Sequence, residues 1–108
     1  MVTPSNALAD IWRTIGGDSA ALARVSLTGA EPAQPSSFKT GTIAQATIAA
    51  SALAASEVDR TRNGRAQKVA VDMRHAAAEF VSERLYTIDG KPPAWAWDKI
   101  AGTYQTGD

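Results

Sequence analysis

From Ile43 to Ala55 nearly every residue is alanine, small or aliphatic (IAQATIAASALAA). Such a run fits few structures. It favours helix, and because it is apolar on all sides it predicts a helix enclosed by other elements. Thr42 and Gln45 stand in the T-x-x-Q relation of a capping box, which places the helix start at Thr42. From Glu57 the run turns polar through Asp59, Arg60 and Arg62, and Asn63-Gly64 supplies a stop. The late arginines suit the negative end of the helix dipole. Alanine also limits the core. The hydrophobic fraction is 44% of 108 residues, but alanine buries little area per residue. A chain of this length is therefore not expected to build a self-sufficient core.

The flanking sequence adds shorter elements. Thr3-Pro4 reads as an N-cap with proline in the first turn, followed by an apolar stripe of Leu8, Ile11, Trp12 and Ile15 that stops at Gly16-Gly17. Asp18 can cap a short second helix through Leu22 and Ala23, and Val25 to Thr28 reads as a brief strand ending at Gly29. Pro32, Pro35, Ser36 and Ser37 mark residues 29–41 as a linker-like loop. After the alanine-rich helix, Gln67 to Val71 has a strand's composition, and Asp72 can cap a last helix containing Met73, Ala77, Phe80, Val81 and Leu85. The two β-like runs are expected to pair. Past Tyr86 the chain is irregular, with an Asp89-Gly90 turn and the breaker Pro92-Pro93. The expected organisation is an N-terminal section (1–28), a loop (29–41), a helix-strand-helix unit (42–86) and an irregular end (87–108). In class this is an α/β, predominantly helical fragment, incomplete without further chain or a partner.

Composition excludes several functions. Lys+Arg and Asp+Glu balance at 11 each, so no net field draws the chain onto nucleic acid or an anionic membrane. The absence of cysteine rules out disulfides, thiolate nucleophiles and thiolate metal sites, and suits a reducing, cytoplasmic compartment. Met1 to Ala9 has neither the basic nor the apolar region of a signal peptide, and no apolar run approaches the roughly 20 residues that span a bilayer.

Few residues suggest chemistry. His75, the only histidine, is one helical turn from Glu79, and local pairing outweighs a general-base role because no nucleophile pattern accompanies it. One histidine and unspaced carboxylates make no recognisable metal cage. Arg60, Arg62, Arg65 and Lys68 cluster around Asn63-Gly64; they are candidates for gripping a phosphate, against the plainer reading of a solvated helix end. Trp95 and Trp97 beside two prolines fit an anchored interface loop better than a stacking platform. Gly16-Gly17 and Gly29 belong to no phosphate-loop motif.

The segment Ala52 to Phe80, ALAASEVDRTRNGRAQKVAVDMRHAAAEF, resembles the family III CoA-transferases, the group containing formyl-CoA and carnitine CoA-transferases. That family carries an alanine-rich helix, then R-x-x-x-G-x-G-Q-x-V-x-V, then a D-A-A-like helix. Arg60, Gly64, Gln67, Val69 and Val71 match, while Ala66 stands where glycine is usual. Val25 to Gly29 is similar to the family's strand ending in T-G, and Tyr104 to Asp108 to its Y-x-T-x-D-G segment. The resemblance implies an enzyme that moves coenzyme A between carboxylic acids, with acyl-CoA as partner, through an aspartate at the start of the alanine-rich helix. Counting back from Gly64, that position is Thr42. Threonine has no carboxylate and no adjacent base to activate its hydroxyl, so the resemblance implies a non-catalytic stretch. Of the basic residues, Arg62, Arg65 and Lys68 are the candidates for holding coenzyme A. The expectation is the leading, non-catalytic part of a longer transferase-like protein, or a truncated relic of one, with the remainder of that chain or a homo-oligomer as its partner. The alternative is a stand-alone module that dimerises through the alanine-rich helix.

Overall fold

The computed structural model describes residues 1–94 and 98–107. Among these described residues three α-helices and two strands follow in the order α1 (Pro4–Thr14), β1 (Val25–Thr28), α2 (Thr40–Asn63), β2 (Val69–Asp72) and α3 (Met73–Glu79). A two-turn 3-10 segment lies at Ser19–Arg24 and a single-turn one at Ser82–Arg84. Trp95 and Trp97 lie outside the described residues, as does Asp108.

Local chemistry sets most boundaries. Thr3 Oγ1 accepts the Asn6 amide at 3.2 Å with Pro4 in the first turn, and Asp18 Oδ1 accepts the Ala20 amide at 3.0 Å. Asp72 Oδ1 accepts the amides of Arg74 and His75 at the start of α3. At the far end of α2, Gly64 adopts φ 71°, the left-handed cap, and its amide bonds to Arg60 O. The Asp89-Gly90 turn closes a two-way bridge between Ile88 and Lys91.

β1 and β2 pair in parallel with Val25 opposite Val69 and Thr28 opposite Asp72, and α2 is the crossover between them. This β-α-β unit packs on the small residues of α2. Leu8 of α1 meets Ala46, Ala49 and Ala50, while Trp12, Ala21, Leu53 and Val69 form the adjoining cluster, with Val25 and Val71 against it. Alanine lets the helix axes approach closely, and the Trp12 indole completes the layer by donating to Asp18 O at 2.9 Å. No helix among the described residues is long and apolar enough to cross a membrane.

Four expectations are corrected. α2 begins at Thr40, within two residues of the expected Thr42, but the cap is not the expected one: Lys39 is an N-cap that makes no side-chain bond, and the Thr42/Gln45 capping box does not form, because Gln45 is turned to the two strands and Thr42, inside the helix, gives its amide to Glu31. The helix is also not enclosed all round. Ile43, Thr47, Ser51, Ala55 and Val58 form an exposed stripe, since α1, α3 and the strand pair cover only its other faces. The second strand is Val69–Asp72 rather than Gln67 to Val71, because the Gln67 carbonyl accepts Ser56 Oγ and its side chain reaches Asp59, tying it to α2 instead. Finally, α3 stops at Glu79 instead of continuing to Leu85. Phe80 and Leu85 are exposed, so no burial supports further turns.

Candidate functional site

In open α/β sheets ligands gather at the carboxyl ends of the strands. Here that edge brings together Thr28, the loop from Gly29 to Lys39, the first turn of α2, Asp72 and the start of α3. Lys39 offers the first turn of α2 no acceptor, and the need is met from eleven residues upstream. Glu31 Oε1 accepts the Thr42 amide at 2.6 Å, and Glu31 Oε2 accepts the Ala33 amide at 3.2 Å. A carboxylate at a helix N-terminus also gains from the dipole. Burial pushes the Glu31 carboxyl up, but the amide and hydroxyl of Thr42, the Ala33 amide and the charge of Lys39 together hold it below its ordinary range. The Thr42 hydroxyl lies near enough to contribute to that field yet makes no hydrogen bond of acceptable geometry, so the amide is the contact that matters.

The loop is strapped down further along. Gln34 Nε2 reaches Ala77 O of α3 at 3.4 Å, and Gly41 leaves no room beneath the strap. A Cβ at position 41 would fall 2.8 Å from Ala33 Cβ and from Met73 Sδ. Gly41→Ala is therefore expected to push the strap off α2 at a cost of about 1–3 kcal/mol, read as a lower urea midpoint.

Behind this edge, Gln45 is 1% exposed, and its amide nitrogen donates to Thr28 O at 2.7 Å and to Val71 O at 2.8 Å, one bond to each strand. Thr28 Oγ1 donates to Asp72 Oδ2 at 3.1 Å. Hydrogen bonds from the His75 amide, the Thr28 hydroxyl and the Arg74 amide keep the Asp72 carboxyl below its ordinary range. Both carboxylates of the edge are thus ionised and occupied as caps. Because their folded pKa values are depressed, their contribution is complete above the unfolded values of about 4 and is lost as pH falls through the lower folded values. Glu31→Gln is expected to lower the urea midpoint at pH 7. The gap from wild type should close near pH 2, where the wild-type carboxylates are protonated.

Thr42 lies within the first turn of α2 and is 2% exposed. No carboxylate is offered to solvent at that position. The basic cluster does not converge on an anion either. Arg60 binds Glu57, which also pairs with Arg24, and Arg65 binds Asp59 at 3.0 Å. Asp59 additionally accepts Asn63 and Gln67 at 2.6 Å each, and these bonds, ahead of that from Arg65, keep its carboxyl low. Arg62 and Lys68 remain exposed with no ion pair among the described residues. His75 is exposed at the start of α3 and makes no ion pair or side-chain hydrogen bond with Glu79. Gly17 is packed against the Trp12 ring, which accounts for glycine there without any ligand. Among the described residues no group of three or more metal-ligating side chains converges.

Glu31 and the Thr28–Asp72 contact were not singled out from the sequence, and Gln45 was read as a capping-box partner of Thr42 rather than as the tie to both strands. One signal pointed to Glu31: Phe38-Lys39 immediately before the helix offers no capping acceptor, so an acid in the preceding loop is a natural substitute. Compared with known proteins, the chain matches no family model, no curated protein and no solved structure.

Proposed function

We propose that this chain is the leading, non-catalytic part of a family III CoA-transferase, a β-α-β unit that supports an acyl-transfer centre supplied by other residues. The observation that carries the reading is the placement of the resembling residues. Arg60 lies in the last turn of α2, Gly64 is its left-handed cap, Gln67 ties the connection back to α2, and Val69 and Val71 form β2. A parallel sheet of two strands among the described residues also suits a piece of a larger sheet, since parallel sheets are normally covered on both faces. Acyl-CoA and an acceptor acid would be the substrates of the whole enzyme. Cytoplasmic location belongs to the same proposal.

A second reading has its own support. Phe38, Ile43 and Val58 expose apolar surface along and beside α2, as expected of a dimerising module without enzymatic activity. The reading frame after Asp108 separates the two. Continuation into a full transferase sequence, with CoA transfer by the extended chain, is the result expected here. A stop codon, together with a dimer in sedimentation velocity, would replace it with the second reading.

A further inference from the structure

We infer that the groove between α1 and the first turns of α2 binds an unbranched alkyl chain bearing an anionic head group, with a medium-chain carboxylate as the simplest such ligand. The inference is independent of the transferase reading. The groove has a volume of about 340 Å³, at the lower end of the range of small-molecule sites. Its walls are Val2, Ala7, Ile11, Ile43 and Ala46, with Thr42 and Thr47 beside them, and the surface they present is almost wholly carbon. Ile43 and Val2 remain 55% and 61% exposed beside it, so apolar surface stays in water that a chain of methylenes would displace.

Charge at one end selects the head group. Lys39 lines the groove and donates from Nζ to Val2 O at 3.1 Å, which uses one of its three donors. Among the described residues it has no ion pair, and the carboxylate whose field it shares, Glu31, already has both oxygens on backbone amides. Lys39 is also the N-cap of α2, where the helix dipole adds positive rather than negative potential. Glu31 already answers the dipole, but it is held on two amides and forms no ion pair with Lys39, so an anion at the mouth of the groove would pair that ammonium directly, as an apolar peptide would not.

The test is a titration of the labelled full chain with sodium octanoate below its micelle concentration, followed by methyl and amide chemical shifts, with octan-1-ol and acetate in parallel. Saturable shifts are expected at Ile11, Ile43 and Ala46, about fivefold weaker binding of octanol, and none of acetate. Lys39→Gln should weaken octanoate about fivefold and leave octanol unchanged, whereas Ile43→Ser should weaken both about tenfold. Both positions are exposed, so the variants are expected to keep the wild-type spectrum away from the groove. Absence of saturable shifts, shifts lying outside the groove, or equal affinity for octanol and octanoate overturns the inference. So does a dimer of the unliganded chain that protects the same residues.

Discussion

Thr42→Asp is expected to destabilise the fold by about 3–5 kcal/mol, enough to unfold a small domain of ordinary stability, and to confer no CoA transfer. An aspartate at a helix start ordinarily gains from the dipole. The structure reverses that expectation. Position 42 is buried within the first turn, and its amide already holds the Glu31 carboxylate. A second carboxyl would be desolvated beside a like charge, and both effects disfavour its ionised form. Thr42→Asn brings similar bulk without charge and should cost far less, about 1–2 kcal/mol. The difference between the two urea midpoints isolates the charge. It should shrink as pH falls, because protonating the new carboxyl removes the repulsion.

The second large effect is expected at Gln45. Replacement by leucine keeps the size of the side chain but deprives the carbonyls of Thr28 and Val71 of their shared donor. Each carbonyl left without a partner costs about 1–3 kcal/mol, so Gln45→Leu should lose about 2–4 kcal/mol. The damage has a location as well. Amide exchange should accelerate in β1 and β2 more than in the middle of α2, where Ala49 and Leu53 remain packed. Equal acceleration in all three elements would mean that Gln45 acts as general packing rather than as the tie between helix and strands.

These two residues mark where sequence reading ended. Features that depend on neighbours within a few positions were legible: the caps at Thr3, Asp18 and Asp72, the left-handed stop at Gly64, and the pairing of two short β-branched runs flanking one long helix. The pairing, though not its parallel sense, was accessible because the chain offered only two β-like runs. What could not be read depends on distant contacts. Thr42 and Gln45 have capping-box spacing, but the strand carbonyls bind Gln45 and Glu31 takes the Thr42 amide, so the same residues serve tertiary structure and the helix begins earlier. The arginine cluster left two readings open, a phosphate grip and the plainer solvated helix end, and its partners could not be read from charge count: Glu57 and Asp59, both on α2, draw Arg60 and Arg65 back to the helix. The exposed stripe from Ile43 to Val58 was hidden because alanine-rich sequence carries no marked polar face to distinguish a covered side from an open one.

The start of α2, where the resemblance places a reacting carboxylate, is a closed structural position, and the Glu31 carboxylate beside it is occupied by amides. The direct measurement is mass spectrometry of the purified wild-type chain after incubation with an acyl-CoA and a second carboxylic acid. The expected result is an unmodified chain mass and no exchanged acyl-CoA. Turnover, or an acyl or CoA adduct mapped to a peptide containing Glu31 or Thr42, would contradict it.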